Sequence, residues 1–145
     1  MTGRSWGGCL DVIEWILTAG RFPFGPDVLE GGVLLLETSE ELLPARKVGW
    51  IVRSLGERGI LTAVDAVLVA RPPVSDLVRR PPPEERGRLR AEQRDVVVEI
   101  VSRYNPEAVV YAGIPFGHTR PQWILPHGGA IAVDAATRRV IADYT

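Results

Sequence analysis

The sequence predicts an α/β domain, because two patterns alternate along it. Short, continuously apolar runs such as Val33-Leu34-Leu35-Leu36, set behind Gly31-Gly32, read as strands buried on both faces. Between them, residues 9–19 and the stretch holding Val48, Ile51, Val52 and Leu55 carry apolar side chains at helical spacing. A chain of 145 residues with 46% hydrophobic and 24% charged positions can bury one core around such elements, so residues 1–145 are read as a single domain.

The first helix, over residues 9–19, follows a Gly7-Gly8 turn and puts Leu10, Ile13, Ile16 and Leu17 on one face, with Asp11 and Glu14 on the other. Phe22-Pro23-Phe24-Gly25-Pro26 then breaks the chain. The first buried strand ends at Glu37. Thr38 or Ser39 can cap the helix that comes next, Pro44 suits its first turn, and Gly59 closes it. Ala66–Ala70 is a second buried strand. Residues 71–94 change character: Pro72-Pro73, Pro81-Pro82-Pro83 and a series of arginines from Arg79 to Arg94 predict an exposed excursion with little apolar surface to order it. Its second half becomes a helix that buries Val97, Val98, Ile100 and Val101 and stops at Tyr104-Asn105-Pro106. Residues 108–112 form a third buried strand, leading into Gly113-Ile114-Pro115-Phe116-Gly117-His118. Ala130-Ile131-Ala132-Val133 and Val140-Ile141-Ala142 alternate as a terminal hairpin.

Charge and cysteine content exclude several function classes. With 17 Lys+Arg against 18 Asp+Glu, no overall basic field recruits nucleic acid or an anionic membrane. Glu84, Glu85 and Glu92 interrupt the arginines and no aromatic is interleaved for base stacking, so that stretch reads as a solvated face. No apolar run approaches the roughly 18 residues of a membrane span. Cys9 is the only cysteine, which leaves no intramolecular disulfide and no cysteine-based zinc site. Asp11 and Glu14 interrupt the one apolar run near the N-terminus, so no signal-peptide core is seen and a cytoplasmic protein is expected.

Two titratable residues stand at strand ends: Glu37 closes the first buried strand, and His118 follows the third through a glycine. Open α/β sheets bind ligands at such edges. Glu37 bonded to one imidazole nitrogen would fix the tautomer of His118 and leave the other nitrogen to take a proton from a nucleophile. By spacing alone, a capping or ion-paired Glu37 and a structural His118 outweigh that catalytic pair. Ser5, Ser39, Ser54, Ser75 and Ser102 lie in no Gly-x-Ser-x-Gly elbow, so a nucleophilic serine is missing. Cys9, behind two glycines and near a helix N-terminus, is a position that suits thiolate chemistry, although lone cysteines are usually small buried hydrophobes. His118 and His127 without a carboxylate cluster make a poor metal site, and no cofactor is expected. Trp6, Trp15, Trp50 and Trp123 read as core or domain-edge aromatics, with Trp6 able to line a groove.

Taken in order, Gly7-Gly8-Cys9-Leu10, Val33-Leu34-Leu35-Leu36-Glu37, the helix and strand between Val48 and Ala70, and Phe116-Gly117-His118-Thr119-Arg120-Pro121 with Leu125-Pro126-His127-Gly128 resemble the C-terminal domain of the serine LD-carboxypeptidase family. That family includes muropeptide LD-carboxypeptidases and microcin C immunity peptidases. The resemblance implies a swivelling β/β/α domain with a mixed sheet and flanking helices. It implies a Ser-His-Glu triad in which Glu37 and His118 come from this domain, while an N-terminal domain, absent from this chain, supplies the serine and the oxyanion hole. It also implies that Gly7, Gly8 and Cys9 contact a peptide substrate derived from peptidoglycan or related to it. Cys9 departs from the asparagine usual there. The partner implied is the serine-bearing domain, and an uncovered domain face would also admit a homodimer. The alternatives are a binding domain that kept the fold without the chemistry and a thiol hydrolase using Cys9.

Overall fold

Parallel pairing between successive strands organises the sheet. β1 (Thr2–Cys9), β2 (Val33–Glu37), β3 (Ala66–Ala70) and β4 (Val109–Ile114) run parallel, each beside the next. β5 (Ala130–Asp134) and β6 (Arg139–Ala142) add as an antiparallel hairpin beyond β1, giving the order β4-β3-β2-β1-β5-β6. The computed structural model describes residues 1–22 and 25–144, so Pro23 and Phe24 of the expected break lie outside the described residues.

α1 (Leu10–Thr18) joins β1 to β2, α2 (Ala45–Glu57) and the short α3 (Ile60–Ala63) join β2 to β3, and α4 (Pro83–Tyr104) joins β3 to β4. Crossovers that share one hand and step the same way along a sheet leave their helices on one face. Accordingly Leu34, Leu36 and Val67 share one core with Leu10, Ile13, Val52, Leu55, Val97 and Val101 from the helices. Among the described residues, no helix packs on the opposite face. Val33, Leu35, Ala66 and Leu68 are covered there by Ile131 and Val133 of β5 and by Phe116 and Leu125, so the mixed sheet curls over its own second core. β2 therefore needs apolar residues at successive positions, and all four from Val33 to Leu36 are buried. Among the described residues no helix is long and apolar enough to cross a membrane.

The structure corrects several expectations. Gly7 and Gly8 form no turn; they continue β1 in register with Leu35 and Leu36. Gly7 has φ 141°, and a Cβ there would lie 1.9 Å from the Leu35 carbonyl oxygen, so glycine serves a close strand approach rather than a reversal. Asp11, expected on a polar face, is buried, because Ser39 donates its hydroxyl to Asp11 Oδ2 at 3.0 Å and Lys47 Nζ lies 3.8 Å from Oδ1. Neither Thr38 nor Ser39 caps α2; Pro44 is its N-cap, and Ser39 Oγ instead accepts the Glu41 N–H at 3.3 Å.

α4 begins at Pro83, at the start of the second half of the stretch as expected, because proline suits a first helical turn and Glu84 and Glu85 face the positive end of the helix dipole. The excursion is correspondingly short, and Pro72, Val74 and Pro81 are buried within it. Val97, Ile100 and Val101 are buried as read, but Val98 is 37% exposed, since it stands about 100° round the helix from Val97. The third strand extends to Ile114 and lies at the sheet edge, so it is half-buried rather than buried.

Leu36→Ala should lower unfolding free energy in urea by about 2–5 kcal/mol, as expected for a cavity in a closed core. Val98→Ala should change it by about 0.5 kcal/mol or less, as at other exposed helical positions.

Candidate active site

β1 ends at Cys9 and β2 at Glu37, side by side in register, so both stand at the carboxyl edge of the parallel strands. Strand alternation sends the Glu37 side chain to the face opposite the helices, with Val33 and Leu35. The loop after β4 crosses it there. Phe116 is buried in the second core and anchors that loop; Gly117 follows with φ 71°. A Cβ at position 117 would lie 1.8 Å from Glu37 Oε2, so only glycine lets the backbone pass over the carboxylate.

His118 brings two donors to the same oxygen. Its backbone N–H donates to Glu37 Oε2 at 2.7 Å, and Nδ1 lies 2.8 Å from that atom. Against an ionised carboxylate Nδ1 carries the proton, which leaves Nε2 of the neutral ring as the acceptor. Glu37 is 11% exposed and His118 43%, so the carboxylate is shielded while the imidazole is open. Nε2 lies 3.4 Å from the exposed Glu40 carboxylate. The hydrogen bond to Glu37 holds His118 above the ordinary imidazole range; partial burial opposes it, and the charges of Glu37 and Glu40 reinforce it.

Arg71, the first residue after β3, fixes the loop from the other side. Its backbone N–H donates to Ile114 O at 2.8 Å, Nε to Thr119 Oγ1 at 3.0 Å and Nη2 to Arg120 O at 2.6 Å. Cys9 and His118 border one groove of about 470 Å³, whose wall also includes Asp11, Trp15 and Ser39. They share no hydrogen bond: Cys9 Sγ lies 3.8 Å from Asp11 Oδ2.

A family model for the LD-carboxypeptidase C-terminal domain matches residues 2–133. The chain belongs to that family. No curated protein matches it. Among solved structures, an MccF-like protein from Streptococcus pneumoniae in complex with AMP superposes with TM-score 0.74 at 23% identity, covering 99% of this chain and 41% of that one. MccF in complex with glutamyl sulfamoyl guanosine gives 0.72 at 21%, covering 99% and 38%. A muramoyltetrapeptide carboxypeptidase from Oxalobacter formigenes gives 0.70 at 24%, covering 99% and 45%. This LD-carboxypeptidase C-terminal domain thus spans about two fifths of the length of the structures it resembles.

Of the residues singled out in the sequence, Glu37 and His118 come together, and Gly7, Gly8 and Cys9 run along the neighbouring strand to the same edge. His127 lies apart, on a loop tied to the middle of β1 where Gly128 N–H donates to Ser5 O at 2.8 Å and Ser5 donates its hydroxyl to Pro126 O. Trp6 packs edge-on to Phe22 against the helix-side core, with ring centroids 5.0 Å apart. Trp15, Trp50 and Trp123 are exposed, and the Arg46 guanidinium lies over the Trp50 ring. Arg71, Glu40 and the Asp11–Ser39–Lys47 cluster escaped notice, although Arg71 carried a signal: it directly follows a buried strand, as Thr38 does.

In an NMR titration His118 should titrate above about 6.5, the ordinary imidazole value. Glu37→Gln should lower that midpoint more than Glu40→Gln, and Gly117→Ala should lower it too by forcing the loop off Glu37. The pair's contribution to folding is fully present below about pH 6.5 and is lost as pH rises through the elevated value, so the extra stability that Glu37 confers over glutamine in urea should shrink in alkali.

Proposed function

We propose that this domain supplies the general base and its orienting carboxylate to a serine carboxypeptidase site. The serine and the oxyanion hole come from an N-terminal partner domain. The observation that carries the proposal is the 2.8 Å contact between His118 Nδ1 and Glu37 Oε2 at the carboxyl edge of the sheet. With Nδ1–H donated to Glu37, Nε2 takes the proton as the serine hydroxyl attacks the scissile carbonyl. The imidazolium, stabilised by Glu37, then returns that proton to the leaving amine. Glu40 is 70% exposed and turns to solvent when the serine docks against Nε2.

The substrate class is a peptide with an amide bond at a D-configured residue, derived from peptidoglycan or carried on a nucleotide. In support, one structural relative is named a muramoyltetrapeptide carboxypeptidase and another was solved with glutamyl sulfamoyl guanosine. Gly7, Gly8 and Cys9, beside Glu37, line the path of the substrate backbone, and the reaction is cytoplasmic. A thiol mechanism has less support, because Cys9 faces Asp11 rather than the imidazole.

Alone, the 145-residue chain should not hydrolyse an LD-tetrapeptide. Joined to a serine-bearing N-terminal domain of the family it should, with His118→Ala and Glu37→Gln each lowering kcat by about 10³-fold or more. Cys9→Ala should retain turnover within about tenfold. Its loss to the level of His118→Ala would establish the thiol mechanism instead, and full activity in His118→Ala would remove this residue from the reaction.

A further inference from the structure

Where β4 meets the end of β3, the pairing slips by one residue. Val69 stands opposite Ala112 and Ala70 opposite Ile114, so Gly113, with φ 85°, is the extra residue of a β-bulge. A one-residue slip reverses the alternation of side chains beyond it. Val110 packs on the helix-side core, while Val109 and Tyr111 pack on the second core. An unbroken strand would send Ile114 to the helix side with Val110, yet Ile114 is buried in the second core. The bulge therefore delivers the chain after β4 to the face that carries Glu37.

Beyond the bulge, both ends of the loop are tied to one residue. The Arg71 N–H donates to Ile114 O at 2.8 Å, where the loop begins. Its guanidinium reaches the other end, with Nε donating to Thr119 Oγ1 at 3.0 Å and Nη2 to Arg120 O at 2.6 Å. Thr119 is buried, and its own N–H donates to Gly117 O at 2.9 Å, closing a three-residue turn with His118 at the tip. The imidazole is 43% exposed, so its place depends on the turn that bears it.

We propose that Arg71 is a positioning residue for the His118 imidazole, acting through the planar fork that spans Thr119 and Arg120 rather than through its charge. The consequence for turnover rests on the reading of His118 as general base. Lysine would keep the charge without the fork, and methionine would keep neither. A nearby positive charge disfavours a protonated imidazole, whereas the bond to Glu37 favours it. Replacing Arg71 consequently moves the His118 titration in opposite directions under the two roles.

The test follows the His118 ring by NMR in the 145-residue chain, with the backbone amides of β2 showing that each variant is folded. Arg71→Lys and Arg71→Met should both move the His118 midpoint down toward about 6.5, the ordinary imidazole value. Thr119→Val should move it the same way by less, and Thr119→Ser, which keeps the hydroxyl, should leave it in place. In the chain joined to a serine-bearing domain, both Arg71 variants should lower kcat by about 10–100-fold, with KM within about threefold. A midpoint unchanged in Arg71→Lys and raised in Arg71→Met would assign the effect to charge and overturn the proposal. Folded Arg71 variants with the wild-type midpoint, or with full kcat, would overturn it as well. Should the Arg71 variants not fold, Thr119→Val behaving as Thr119→Ser does would have the same force. An inactive wild-type fusion would overturn the peptidase reading alone, and the ring titration would still decide the role of Arg71.

Discussion

A carboxylate that ends a strand as deeply buried as β2 must find donors, and Glu37 draws two hydrogen bonds from one residue. Much of the local structure follows from that demand. The loop after β4 has to run directly above the carboxylate, which permits only glycine at 117. It has to be pinned on both sides of that glycine, and it is: Phe116 is sunk in the second core, while Thr119 and Arg120 are gripped by Arg71. The imidazole orientation is thus set by the backbone as much as by its own hydrogen bond.

The larger architecture supplies the edge on which this happens. Because every crossover steps in one direction, the helices crowd one face and the other has to be covered by the curling sheet and the loop that carries His118. A sheet wound both ways would have placed a helix where that loop lies. The segment from Ile114 to Leu125 therefore does two things at once: with β5 it covers the second core, and it positions the histidine.

β2, β3 and α2 are legible in the sequence because each satisfies one strong local rule: a continuous apolar run for a strand buried on both faces, or apolar residues at helical spacing on one face. Glu37 and His118 could be picked out by their positions at strand ends, though only coordinates bring them together across 81 positions. What escaped local reading was decided by distant partners. Gly7 and Gly8 look like a turn until β2 is laid against them. Asp11 looks solvated until Ser39, 28 positions away, gives it a hydroxyl. Arg71 looks like the first residue of a loose excursion, and its role depends on a loop 48 positions further on.

Arg71 holds that loop through a hydroxyl and a carbonyl oxygen, and the His118 backbone N–H is bonded to Glu37 whatever the state of the ring. None of these bonds gains or loses a partner when the imidazole takes up or releases a proton. The scaffold is therefore mechanically indifferent to the titration it frames: the ring can cycle between neutral and charged forms while its Cα stays in place, so no loop rearrangement need be repeated with each proton transfer.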